Sequence, residues 1–297
     1  MDELSERFDD FPATVHALIT PVGAADEPLL AREADEPAPL GSMFKLYVLL
    51  AVSQAVESGE LSWDTTLTVA AHNRSLPSGE LQDEPDGTEV TVREAATKMI
   101  QLSDNTATDM LMQELGREAI EDAVLDAGHH DPELLSPFPS TREFFQIGWG
   151  DPEYFDTWAD GSQDEQRALL EQLERKPIGE HDVTVSGDPI WPDGVEWFAS
   201  AEDIAAVHVA LQEQEDPMVR EILSGNPGIP PEAFDYVGFK GGSSPGVLTG
   251  SWYVEAANGD SYVVVLQSAT EDPAGISASS QTVFFDLAES AVDLATS

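Results

Sequence analysis

A serine that is to act as a nucleophile needs a base within reach, and Ser42-Met43-Phe44-Lys45 offers that pair at helical spacing. On a helix, residues three apart share a face, so the Ser42 hydroxyl and the Lys45 amine would lie one turn apart. Ser42 follows Pro39 and Gly41 at the expected helix start. There, unpaired backbone N–H groups and the helix dipole favour developing negative charge. Lys45 sits within a strongly apolar run, and desolvation would lower the pKa of its amine. A lysine poised towards neutrality is a base for a serine. The plainer alternative is an N-cap serine and a lysine whose stem packs while its amine reaches water.

Two further segments carry chemistry. Ser103-Asp104-Asn105 lies between two apolar helical patterns. It would form a turn whose side chains face a cleft, with Ser103 relaying a proton and Asn105 binding a substrate amide. The same residue types also cap helices. Phe239-Lys240-Gly241-Gly242-Ser243 ends an expected strand. Glycines there, Gly242 among them, let a ligand or another backbone approach closely. Lys240 would supply positive charge for a carboxylate or for the Ser103 relay. The Ser243 N–H would complete an oxyanion hole with that of Ser42. The alternative is a glycine turn with a solvated lysine.

The elements that must position these residues are legible as patterns. Thr14 to Ile19 reads as a strand, and Leu29 to Ala34 as a second short one. Met43 to Gln54 is apolar on nearly every face, the mark of a buried central helix. Thr91 with Glu94 is a capping box that opens a helix running towards Leu102, and Thr106 to Leu115 reads as another. Ser162 with Glu165 caps a helix ending near Arg175, before Pro177, and Ser200 to Gln212 is one more. Tyr236 to Lys240, Gly250 to Glu255 and Tyr262 to Gln267 read as strands, with an Asn258-Gly259 hairpin signal between the last two. A final helix is expected from about Ser279 to Leu294. The expected fold class is α+β, a single unit spanning residues 1–297. An antiparallel sheet would join N- and C-terminal strands in one lobe (about 10–40 and 215–297), beside a helical lobe (about 41–214).

Composition narrows the function classes. The 297 residues carry 13 Lys plus Arg against 57 Asp plus Glu, a net charge of −44, and no cysteine. Cysteine catalysis, disulfides and thiolate metal sites are thereby excluded. The negative surface opposes nucleic acid and anionic membranes as partners. Scattered acids with only four lysines resemble the composition of proteins from extreme halophiles, where molar salt screens such repulsion. The acidic start, Met1 to Glu6, shows no export signal, so the expected location is cytoplasmic. His129-His130-Asp131 lacks zinc-ligand spacing and reads as an exposed polar loop, so no metal or cofactor is expected. Gly242-Ser243-Ser244-Pro245-Gly246 matches a nucleophile elbow in letters alone: strands follow it, and no histidine occurs after His208.

Taken in order, Ser-x-x-Lys, Ser-Asp-Asn and Lys-Gly-Gly resemble the motif set of the class A β-lactamases and related penicillin-binding enzymes. Gly41 to Leu50 is similar to that family's nucleophile helix, and VTVREAATKMIQLSDNTATDMLM, from Val90 to Met112, to its second motif region. The resemblance runs from about residue 14 to the end. It implies Ser42 as nucleophile, Lys45 as base, Ser103 as proton relay, Asn105 as substrate ligand, Lys240 as electrostatic anchor and Ser243 as oxyanion donor.

There are departures. Gly241 stands where the family has a hydroxyl that helps hold the substrate carboxylate, and no arginine follows Arg220. The family's deacylation glutamate has no clear equivalent: Glu133 and Glu143 are the nearest candidates, and Glu143, within the capping box Ser140-Thr141-Arg142-Glu143, is more simply read as structural. The segment between Phe144 and Ala199 is rich in Trp and Tyr, and the stretches Ser136 to Glu143 and Glu196 to Ser200, with Phe239 beside Lys240, resemble a divergent branch that includes a β-lactamase-like serine hydrolase of clavam biosynthesis with esterase character. The resemblance thus implies a serine hydrolase acting on a small β-lactam or ester. The alternative is a ligand-binding or acylatable sensor without turnover.

Overall fold

The structure is a computed structural model and describes residues 2–24, 27–179 and 182–296. A helix, α1 (Asp2–Asp9), precedes strands β1 (Thr14–Pro21) and β2 (Leu30–Arg32). β3 (Ala38–Pro39) leads through a 3-10 turn, Gly41–Phe44, into α2 (Lys45–Ser58). β4 (Thr66–Thr68) and β5 (Glu89–Thr91) form a small ribbon ahead of α3 (Val92–Gln101), α4 (Asn105–Leu115) and α5 (Arg117–Asp126). Next come α6 (Thr141–Trp149), α7 (Pro152–Asp160) and α8 (Gln163–Leu173), then β6 (Phe198–Ala199), α9 (Ala201–Gln212) and α10 (Pro217–Ser224). β7 (Phe234–Ser244), β8 (Val247–Ala256), β9 (Ser261–Ala269) and α11 (Ala278–Thr296) complete the chain.

The five-stranded sheet has the order β2-β1-β9-β8-β7, and every pair is antiparallel. The N-terminal strands thus pair with the C-terminal meander, as expected for the α+β class. Strand side chains alternate between faces, and both faces are covered. Ile19, Val264, Leu266 and Trp252 pack with Phe8 of α1 and Phe284 of α11. Leu18, Val263, Val265 and Tyr253 belong to the core shared with the helices of the middle. At the centre of that core lies α2, buried from Lys45 through Ser53 and again at Ala55.

Three features differ from the sequence expectation. α1 was not anticipated, because its two core residues, Leu4 and Phe8, sit among acids in too short a segment to show a period. The central helix starts as a 3-10 turn and runs on to Ser58, where Gly59 at φ +80° stops it. Gly241 and Gly242 do not form a turn: β7 runs through both, and the hairpin reverses at Pro245-Gly246, where Gly246 has φ +73°.

The junction between α3 and α4 is fixed by one buried acid. Asp104 caps α4 by accepting from Ala107 N at 2.8 Å. Its second oxygen accepts from Glu80 N at 2.7 Å and Leu81 N at 2.9 Å. A Cβ on Gly79 would lie 2.2 Å from the Asp104 carboxyl carbon, so the 78–81 loop needs glycine there. Asp104→Ala strands three backbone donors, and we expect a loss of about 3 kcal/mol in urea unfolding, against near-neutrality if the loop is free to rearrange. The excess of 57 acids over 13 bases repels itself at low ionic strength. The thermal midpoint is therefore expected to rise by several degrees between about 0.1 M and about 2 M KCl; a salt-insensitive midpoint would contradict this.

Candidate active site

The serine turn is clamped between two strands. Leu40 N donates to Trp197 O at 2.9 Å, and Leu40 O accepts from Thr249 Oγ1 at 2.7 Å. Gly41, at φ +50°, would place a Cβ 2.7 Å from Ser243 N. A Cβ on Gly242 would fall 2.6 Å from Ser42 N and 2.2 Å from Leu40 O. Two glycines therefore bring the Gly41-Ser42 backbone against Gly242-Ser243, a contact no larger residue permits. Ser42 is half-buried, lines the cleft, and its hydroxyl makes no hydrogen bond among the described residues.

Lys45 is fully buried. Its ammonium donates to Ser103 O at 2.7 Å, Asn105 Oδ1 at 2.6 Å and Ser103 Oγ at 3.2 Å. Burial holds its pKa well below the usual lysine range, and the Lys240 charge lowers it further, against a smaller opposing pull from Asp109 and Asp104. Lys240, only 2% exposed, donates to Gly241 O at 2.6 Å and Ser103 Oγ at 3.1 Å. Burial brings its pKa down to about 7.

One hydroxyl, that of Ser103, thus bridges two buried amines. Ser103 sits at φ +55°, a left-handed conformation costly for serine. Its carbonyl is held by Lys45 and by Ser78 Oγ at 2.7 Å, contacts that keep it there. Asn105 is tied at both ends of its amide: Oδ1 accepts from Lys45, and Nδ2 donates to Leu76 O at 3.0 Å. Beneath Lys240, Ser251 Oγ donates to its carbonyl at 3.3 Å and pairs with His208 Nε2 at 2.9 Å. Burial depresses the pKa of His208 to about 3, so it stays neutral.

These residues open on a cleft of about 560 Å³. Ser42, Ser103, Asn105, Phe239, Lys240, Gly242 and Ser243 all line it. Among the described lining residues Lys240 is the only cation and Glu196 the only acid. Sequence reading missed Glu196 as a site residue. It is 5% exposed, accepts from Ser244 Oγ at 2.6 Å, and burial raises its pKa to about 7. The available signal was an acid set inside the apolar run Val195 to Ala199.

Two expectations are corrected. Glu143 does not reach this cleft. Its carboxylate pairs with Arg117 at 3.0 Å and accepts from Ser140 N at 2.7 Å in the capping box, facing a second cleft. His129 is buried rather than exposed, with its ring 6.0 Å from that of Tyr47, and His130 pairs with Asp203 at 2.8 Å.

Comparison with known proteins agrees with this geometry. A β-lactamase from Sphaerobacter thermophilus DSM 20745 superposes with a TM-score of 0.67 at 20% identity, covering 99% of this chain and 96% of that one. An ancestral class A β-lactamase gives a TM-score of 0.67 at 17% identity, covering 98% of each. PBP-A gives 0.63 at 17% identity, covering 97% of this chain and 94% of that one. No curated protein matches the chain in sequence. The fold is that of the class A β-lactamases. A family model described as a β-lactamase enzyme family matches residues 1–281, and the chain belongs to that family.

Proposed function

We propose that the protein is a serine hydrolase that opens a small β-lactam or ester through an acyl-enzyme on Ser42. The observation that carries this reading is the Ser103 hydroxyl within 3.2 Å of Lys45 and 3.1 Å of Lys240, in the cleft that Ser42 also lines. A buried amine held well below its usual pKa gives up its proton more readily than an exposed lysine, which suits it to act as a base.

In the first step Lys45 takes the Ser42 proton as Oγ bonds to the substrate carbonyl carbon. The backbone N–H groups of Ser42 and Ser243, set side by side by Gly41 and Gly242, stabilise the oxyanion. The carbon–oxygen or carbon–nitrogen bond to the leaving group breaks, and Ser103, fed by the lysines, returns a proton to that group. Asn105 orients the substrate with its remaining N–H and holds Lys45 in place. In the second step water cleaves the acyl-enzyme and restores the Ser42 hydroxyl. Glu196 is the acidic group of the cleft available to take the water proton, a role Glu143 cannot fill.

Intact mass spectrometry with a penicillin, a cephalosporin and an activated ester tests the reading. A transient adduct on Ser42 with continuing product is expected from one class, and Ser42→Ala should lose both while its unfolding curve is unchanged. Turnover retained in Ser42→Ala would refute the mechanism, and a permanent adduct without product would favour the acylatable sensor.

The pH profile gives a second test. The acylation rate should rise with pH and level off well below the ordinary lysine value, because the base is a depressed lysine. The positive charge of Lys240 lowers the Lys45 pKa, so in Lys240→Met the rising limb should move to higher pH. A lower rate with an unmoved limb would assign Lys240 no electrostatic part.

A further inference from the structure

We propose that the cleft is built for acyl substrates without a carboxylate, carrying an aryl or other flat apolar group. This rests on the serine-hydrolase reading and narrows its substrate class.

A carboxylate bound out of water needs charge-assisted donors, most effectively a fork of N–H groups or paired cations. Among the described lining residues Lys240 is the only cation, and it is poorly placed to serve. Two of its three N–H groups are spent on Gly241 O and Ser103 Oγ. Its charge is also partial near neutrality, since burial lowers its pKa to about 7. Gly241 beside it has no side-chain donor, and a Cβ there would lie 2.9 Å from the Phe239 ring. That ring is itself fixed by stacking on Trp252, with centroids 5.0 Å apart. Lys45 has all three donors occupied. Arg220 pairs with Glu255 at 2.9 Å and lies 3.8 Å over the Tyr236 ring. At the end of β7, next to the Ser243 N–H, Ser244 holds the Glu196 carboxyl at 2.6 Å. A ligand carboxylate in this cleft meets an acid and finds no fork.

The walls suit a flat apolar group instead. Phe44 stacks on Trp197 at 3.9 Å, and Phe144 packs on Trp197 at 4.7 Å. Phe145 and Trp149, 6.0 Å apart, are half-buried and turn part of their surface to the cleft. Rigid aromatic surface of this kind favours aromatic partners in offset or edge contact. Hydrolysis of an ester in this cleft breaks the acyl–oxygen bond, adds water and yields an alcohol and a carboxylic acid. The ionised acid is the species the cleft holds least well, which favours product release.

Three matched substrates test this: 4-nitrophenyl 3-phenylpropanoate, its analogue with a carboxylate on the phenyl ring, and the methyl ester of that carboxylate. Each is measured with the full chain and with Ser42→Ala, in about 0.1 M and about 2 M KCl, where the Debye length falls to about 2 Å. The expected result is Ser42-dependent kcat/KM about tenfold or more higher for both neutral esters than for the carboxylate at either salt, equivalent to about 1.4 kcal/mol. Equal or faster turnover of the carboxylate overturns the inference and leaves the hydrolase reading intact. So does a preference that vanishes at high salt, which would assign it to the surface field. Loss of Ser42-dependent turnover with all three removes the hydrolase reading, and this inference with it.

Discussion

Two amines that share one hydroxyl, away from water, are each costly to keep charged. That constraint governs the centre of this molecule. Lys45 and Lys240 both donate to Ser103 Oγ, and both are buried. Desolvation lowers both pKa values, and the Lys240 charge lowers that of Lys45 further. The fold supplies acceptors enough to keep the amines in place, through Ser103 O, Asn105 Oδ1 and Gly241 O. Its negative charge only partly offsets this: Asp109 and Asp104 raise the Lys45 pKa by less than burial and Lys240 lower it. The result is an amine held well below its ordinary pKa in a protein otherwise rich in acid.

Holding that arrangement takes rigid neighbours on each side. Asp104 binds the turn on one side through three backbone donors. On the other side β7 delivers Lys240 from the sheet edge, in register with Ser251 of β8. The serine turn is wedged between them by Gly41 and Gly242, whose missing side chains allow direct backbone contact. The three motifs lie on separate elements, and the sheet joining both ends of the chain brings the third to the first two. A change in β9 or α11 therefore bears on the site through the position of β7.

Around this core the chain has diverged from the family pattern in a coherent way. The missing hydroxyl at Gly241 goes with the Phe239 ring that fills the space beside it. The absence of an arginine after Arg220 goes with an acid, Glu196, on the cleft wall. The aromatic side chains of α6 and of the segment before α9 complete a lining in which charge is scarce, although the chain as a whole carries −44.

What the sequence determined by itself was local. Capping boxes at Ser140 and Ser162, the apolar run of α2 and the Asn258-Gly259 hairpin depend on neighbours within a few residues, so their letters carry their structure. The order of the three motifs also identified the residues that meet in the cleft. The tertiary structure decided what depends on distant partners. It turned Glu143 away from the cleft, because Arg117 and the capping box take its carboxylate. It made Glu196 a site residue through Ser244, which lies on the far side of α9 and α10 in the chain. It also kept Gly241 and Gly242 within a strand, since the reason for those glycines is the backbone of Gly41-Ser42 pressed against them. Such contacts join residues 26, 48 and about two hundred positions apart, and no local pattern of side chains records them.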